Sequence, residues 1–571
     1  MRLSKAILIC FYGLLIGCNS NPSSRPGHIT SDSSAIAKGE NIFNQNCSAC
    51  HSISADGIGP ALGGITADVS ADWVKKFIRD PKAVIESGDE RAEDLFEKYK
   101  TVMPSFAYYS DQDIAGVIGF LHKQKAPEQK IVTVGDVKPL ANPIPEGITM
   151  SDLEVGLELV LQMPATSVEK PLTRITKIYP HPNTGELFIL DLRGKLYRLL
   201  SKQPSVYMDM AELMPKFINK PGHATGFGSF AFHPEFENNG LLYTTHTEAA
   251  GSAKADFDYA DTIKVTLQWV VSEWKTQHPK GFPFKGTRRE LFRVNMLNQS
   301  HGVQEVVFNP MAKRGSEDYG LLYIGIGDGG SAENRILHLS KGPETIWSSI
   351  LRIDPLGRNS VNGQYGIPEG NPFANSSNPK ALGEIYAFGF RNPHRIAWSQ
   401  SGQMLASNIG QHNIEELNVI LPGQNYGWPH REGTFVINLL ESTRNLFPLS
   451  SDKGVDNSIY PVAQYDHDEG NAIIGGFEYT GPSVPELAGK YLFGDMVNGR
   501  LFYIEMANLQ PGVQTQMKEW QISLNGKRTS FKALCEDERL SLRFGKDQKG
   551  EIYLSTMPDG KIYRIVSARH L

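Results

Sequence analysis

The chain has 571 residues, 40% hydrophobic and 21% charged, which is enough apolar mass for several cores. Its formal charge of −5, from 57 Lys and Arg against 62 Asp and Glu, excludes nucleic acid as a main partner, because a polyphosphate needs clustered cations. Glycine (55) and proline (34) are frequent and helical periodicity is scarce beyond residue 150, which excludes a helical bundle for most of the chain.

Arg2 and Lys5 make a basic start, and Ala6 to Ile16 is an apolar run too short to span a bilayer at about 20 residues. Leu15-Ile16-Gly17-Cys18 follows and resembles the bacterial lipobox, in which the cysteine becomes the lipidated first residue. Residues 1–18 therefore read as a lipoprotein signal peptide that removes Cys10, and Ser-rich residues 19–35 as a flexible tether. An ordinary signal peptide with an incidental Cys18 is the other reading. Either places the protein outside the cytoplasm. The lipobox form predicts attachment to the membrane through acyl chains alone, in the periplasm or at the outer membrane of a Gram-negative bacterium.

Cys47-Ser48-Ala49-Cys50-His51 is the C-x-x-C-H attachment pattern for c-type haem. Two thiols at this spacing add to the two vinyl groups, and the adjacent imidazole then lies beneath the iron. A zinc site would need a second cysteine pair, and a thioredoxin-like site would need a βαβ pattern. Cys535 is isolated, so the five cysteines make no disulfide framework.

The flanking sequence predicts helices. Ala35 to Phe43 leads into the motif, and Ser70 to Arg79 starts on a capping residue and stops before Pro81. Ser110 and Asp113 have capping-box spacing, and Ile114, Val117, Ile118 and Leu121 follow at helical spacing. Residues 36–125 thus resemble a class I cytochrome c, with Gly59-Pro60 where that family sets a proline against the haem. The resemblance implies His51 and Met103 as the axial iron ligands. Met103 lies before Pro104 in a loop ahead of the last helix, and His122 reads as a surface residue.

Residues 126–150 form a second linker, broken by Pro127, Pro139, Pro143 and Pro145. Beyond it a Gly-x-(Leu/Ile)-(Tyr/Phe) unit recurs at Gly185, Gly194, Gly240, Gly320, Gly499, Gly550 and Gly560. Each unit is a turn glycine followed by an aromatic strand. Irregular repetition over residues 151–568 predicts a propeller of six four-stranded blades, at about 70 residues per blade. The fold class expected is multidomain: a small all-α cytochrome c domain followed by an all-β six-bladed propeller.

Residues 151–568 resemble the glucose/sorbosone dehydrogenase family, which includes soluble PQQ-dependent sugar dehydrogenases and hedgehog-interacting-protein-like proteins. The segments that carry the match include Phe230-Ala-Phe-His-Pro234, Tyr323-Ile-Gly-Ile-Gly-Asp-Gly-Gly330, Leu351-Arg-Ile-Asp-Pro355, Phe390-Arg-Asn-Pro393 and Asn425-Tyr-Gly-Trp-Pro429. The resemblance implies His301 as the base that removes a sugar hydroxyl proton while hydride leaves for PQQ. It implies Arg391 and Asn392 as cofactor contacts, with Arg391 beside the developing quinone oxyanion. It also implies Ca²⁺, held by backbone carbonyls at Gly410-Gln411 and, at a second position, by Glu416 and Tyr426.

Some positions depart from the sugar dehydrogenases. Ala224, with His223 beside it, stands where they carry glutamine. Val497-Asn498 stands where they carry a lysine for a PQQ carboxylate. Arg539 and Arg543 do not keep the spacing of the usual Arg-x-Arg pair. PQQ carries three carboxylates, so its binding requires that Lys313, Arg314, Arg335 or Lys341 substitute for the missing cations. Two functions therefore stand at this level. One is a quinohaemoprotein that oxidises a sugar or related alcohol and passes electrons through haem c to a redox protein or terminal oxidase. The other is an electron-transfer lipoprotein whose propeller only binds a carbohydrate or protein.

Overall fold

The structure, a computed structural model, describes residues 29–48, 50–53, 59–99, 102–126, 137–220, 222, 224–449, 457–537 and 539–571. Cys18, the signal segment, His223 and most of the 19–35 tether lie outside the described residues.

The N-terminal part is helical. Helix Ser33–Ile42 is capped by Asp32, whose side chain accepts from the Ser34 N–H at 2.9 Å. It crosses the closing helix Asp111–His122, where Ser110 and Asp113 form the capping box. The crossing is close because glycines meet there: a Cβ on Gly39 would lie 2.1 Å from the Gly116 carbonyl. Ile114, Val117, Ile118 and Leu121 are buried against Ile42, Phe43 and Val74. His122 is exposed and bonds Thr66. Helix Ala71–Arg79 ends at Asp80, which caps a further short helix, Pro81–Glu86. Pro81 thus opens a new helix at its first position, where the missing N–H costs nothing. Helix Glu90–Tyr99 has no counterpart in the sequence-based reading.

Strands begin at Thr149 and run to His570. They form six four-stranded blades, with a small three-stranded sheet inserted in the fourth. The inner strands are Ile175–Pro180, Phe227–Phe232, Val303–Phe308, Pro393–Trp398, Ile473–Glu478 and Arg543–Lys546. They touch in order around a closed ring, the last against the first. Blade six takes its outer strand from the start of the domain: Thr149–Gln162 pairs antiparallel with Lys561–His570, which joins the two ends of the ring. All seven glycines of the recurring unit have φ between +66° and +120°, immediately before a second or third blade strand. That is the turn geometry glycine supplies without strain.

The ring axis is filled. Buried Lys177 donates to Glu305, to Ser229 Oγ at 3.1 Å and to the Val306 carbonyl at 2.8 Å, while Arg395 lies 3.5 Å from Glu305. This ion cluster ties blades one, two, three and four together beneath the mouth of the propeller.

Candidate active site at the propeller mouth

The haem-attachment segment closes the first helix. The Ser48 N–H reaches back to the Phe43 carbonyl in a widened last turn, and the N–H groups of Cys50 and His51 both donate to the Cys47 carbonyl. These bonds put Cys47, Cys50 and His51 on one wall of a cavity. His51 Nδ1 lies 2.9 Å from the Pro60 carbonyl. A carbonyl only accepts, so Nδ1 carries the proton and the lone pair sits on Nε2, the nitrogen suited to iron. Gly59 is needed beside it, since a Cβ there would lie 2.3 Å from the imidazole. Met103 lines the same cavity, from a loop tied to helix Ala71–Arg79 by the Phe106 N–H to Ile78 carbonyl bond. Burial, then the neighbouring Cys50, pushes the Cys47 thiol up to about 12. Two thiols, an oriented imidazole and a thioether lining one cavity fit a covalently attached haem.

The same cavity, about 1170 Å³, continues into the axial mouth of the propeller. Arg174, Ala224, His301, Asn392, Ala472 and Ser541 line it, each at or just before the start of an inner strand. A ring of inner strands converges at its axis, so the residue preceding each strand is brought to the mouth whatever its distance in sequence.

His301 occupies the left-handed backbone region, at φ +54°. Its Nδ1 lies 2.8 Å from Oδ1 of Asp328, a fully buried carboxylate that also accepts from the Gly330 N–H at 3.1 Å. Burial pushes Asp328 upward, but His301 and Arg391 outweigh it and hold the carboxyl below its ordinary range. An ionised Asp328 fixes the proton on His301 Nδ1 and leaves Nε2 as the basic nitrogen. Asp328 was missed in the sequence. The available signal was a lone carboxylate in the Gly-Asp-Gly-Gly turn at the end of strand Leu322–Ile326.

Asn392 lines the cavity, but Arg391 does not. Its guanidinium turns away, to Gln411 Oε1 at 2.6 Å, the Gly410 carbonyl and Glu333 at 3.1 Å. In this arrangement Arg391 has a bracing role, and its carbonyl accepts from the Asp328 N–H at 2.8 Å. The calcium residues are likewise engaged. A guanidinium already at the Gly410 oxygen repels a second cation there, so Gly410-Gln411 does not match the expected calcium loop. Instead the N–H groups of residues 411 to 414 all donate to buried Glu432. The Glu416 carboxylate accepts from Asn408, Asn418 and the Gly433 N–H. The Tyr426 hydroxyl bridges the Val419 carbonyl and the Leu421 N–H. Among the described residues no cluster of His, Cys, Asp or Glu has metal-binding geometry.

None of the expected substitute cations, Lys313, Arg314, Arg335 and Lys341, lines the cavity. Arg174, Arg539 and Arg543 do. Burial, then neighbouring Arg193, lowers Arg174 to about 10, and burial, then Arg395 and Arg539, lowers Arg543 to about 9. Among the described residues, the Nε of buried Arg543 and both ring nitrogens of buried His394 have no hydrogen-bond partner. Burial, then Arg395 and Arg543, pushes His394 well below its ordinary value, so its imidazole is neutral. Undercompensated guanidiniums and unpaired buried nitrogens around one mouth fit a carboxylate-bearing ligand.

The glucose/sorbosone dehydrogenase family model matches residues 177–564, and the cytochrome c model matches residues 36–125. The HIPL1 protein of Arabidopsis thaliana is 26% identical over 400 residues, covering 60% of this chain and 53% of its own length. Quinoprotein glucose dehydrogenase B of Acinetobacter calcoaceticus is 26% identical over 254 residues, covering 42% of this chain and 47% of its own. The chain thus spans about half the length of the curated relatives it matches. A solved glucose dehydrogenase covers 72% of this chain and 98% of its own at 17% identity, with a TM-score of 0.50, a likeness of fold. A helical haem-attachment domain set over a six-bladed propeller, with the family match across the blades, makes the chain a member of the glucose/sorbosone dehydrogenase family that carries an N-terminal cytochrome c domain.

Proposed function

We propose that this protein is a PQQ-dependent dehydrogenase of a sugar or related alcohol that passes electrons to its own haem c. The observation that carries this reading is the sharing of one cavity by His301, which Asp328 backs, by Arg174, Arg539 and Arg543, and by Cys47, Cys50, His51 and Met103. Nε2 of His301 takes the hydroxyl proton of the bound alcohol. Asp328 steadies the imidazolium at Nδ1, and Asn392 lines the wall beside them. Arg543, Arg539, Arg174 and neutral His394 would hold the cofactor's carboxylates and polar ring edge in the mouth. A bound quinone of this class supplies the two-electron acceptance. The quinoprotein relative supports this assignment. A bound Ca²⁺ would take the buried Glu416 carboxylate and the adjacent Asn418 Oδ1 in place of the hydrogen bonds that Glu416 now accepts.

The test is purified haem-loaded protein given PQQ and Ca²⁺, with haem reduction followed across a panel of sugars and alcohols. Reduction by at least one substrate is expected. No PQQ uptake by calorimetry and no reduction would leave the binding-module reading, which Ala224 at the mouth and uncharged Val497-Asn498 in the lysine register favour. The lipid anchor is proposed on the Leu-x-Gly-Cys18 pattern, with an extracytoplasmic location. Cys18→Ser should release the protein from membranes with haem content unchanged, and a variant that stays bound would remove the anchor.

A further inference from the structure

The cytochrome domain and the propeller meet at the catalytic loop. Gln299, two residues before His301 and buried, donates through Nε2 to the carbonyl of Asn44 at 3.1 Å, three residues before Cys47. Arg444, in the fourth blade's insert, stacks over Tyr99 at 4.6 Å. Arg539, which precedes the inner strand of blade six, brings its guanidinium within 3.9 Å of Cys50 Sγ. Its backbone N–H donates to Asp537 Oδ1 at 3.1 Å, and among the described residues no ion pair joins its guanidinium to a carboxylate.

Cys50 Sγ is the atom that bonds a vinyl carbon of the attached haem. A haem attached there would have its edge at this sulfur, and the guanidinium beside it would stand at that edge. Arg539 also lines the cavity with His301 and Arg543, so it faces the propeller mouth and the haem edge together.

We propose that the cytochrome domain is docked with the Cys50 edge of its haem toward the propeller mouth, which makes that haem the intramolecular electron acceptor, and that Arg539 is the residue positioning and tuning this contact. The proposal rests on the alcohol-oxidising reading of the mouth. Oxidation of one alcohol to its carbonyl compound releases two electrons and two protons. The electrons pass from the reduced quinone to the iron one at a time, each converting Fe(III) to Fe(II). An external one-electron acceptor reoxidises the iron between transfers, and the protons leave through His301 and solvent. A positive charge at the haem edge stabilises the reduced iron and raises its potential.

The experiment uses the full haem-loaded chain with Arg539→Gln and Arg539→Lys. Without quinone or sugar, redox titration should show a lower midpoint potential for Arg539→Gln and recovery in Arg539→Lys. Equal potentials in all three proteins would overturn the docked edge, with no sugar chemistry involved. With PQQ bound, rapid mixing with a sugar that the protein oxidises should reduce haem at a rate constant unchanged by tenfold dilution of the protein, and about tenfold lower in Arg539→Gln. A rate constant proportional to protein concentration would overturn the intramolecular route. Absence of any reduction in the wild type would instead remove the alcohol-oxidising reading, and the acceptor role with it, while the potentials still decide the docking.

Discussion

His301 Nδ1 and Asp328 Oδ1 lie 2.8 Å apart across the entry to blade three, one on a left-handed backbone and the other without solvent contact. A non-glycine residue holds that backbone conformation only where its surroundings over-determine it. The carbonyl of His301 accepts from the Gly329 N–H at 3.2 Å, and Asp328 is braced by the Arg391 carbonyl. The imidazole is thus fixed from both sides.

Asp328→Asn removes the charge that sets the tautomer while keeping the volume. Sugar-dependent haem reduction should fall by about two to four orders of magnitude, as for His301→Ala. Reduction of the haem by an added small-molecule reductant should not change. Wild-type rates in Asp328→Asn would refute the pair.

Arg543→Gln leaves the mouth with one cation fewer for a carboxylate. PQQ affinity measured by calorimetry should drop about tenfold to a hundredfold, the range of a lost charge-assisted hydrogen bond. Arg391→Ala should lower the reduction rate and the unfolding midpoint together, because Arg391 braces Asp328 and the 410–411 loop from behind the wall. Loss of rate with full stability would return Arg391 to direct cofactor contact.

Met103→Ala should abolish the methionine–iron charge-transfer band and lower the haem potential, since a thioether favours Fe(II). An unchanged spectrum would show that another group ligates the iron.

Buried Glu248 lies 2.9 Å from Arg293 and 3.3 Å from His246. Burial raises it, but those two partners prevail and hold it at about 2, against an ordinary 4.5. A depressed carboxylate stabilises the fold fully above its unfolded value and loses that contribution as pH falls toward its folded value. Urea unfolding should therefore weaken between about pH 4.5 and 2, by on the order of 3 kcal/mol from this group. Glu248→Gln should be less stable at neutral pH and flatter across that window. Parallel curves would exclude Glu248 as the source.

The sequence by itself determined the local features. Cys47, Cys50 and His51 were legible because haem attachment needs three side chains within five residues. The closing helix was legible because its capping box and apolar stripe are local. The turn glycines were legible because only glycine takes positive φ freely. His301 and Asn392 were reached through a family register. Tertiary structure decided the rest. Arg174, His394 and Arg543 are up to 369 positions apart, with no periodicity to join them, and meet because six inner strands converge on one axis. Arg391 and Gly410 looked like ligands in the chain and proved to be each other's partners, because a buried guanidinium takes the nearest acceptors the fold presents. The approach of Arg539 to Cys50, 489 residues away, follows from how the two domains pack, and no local sequence preference encodes it.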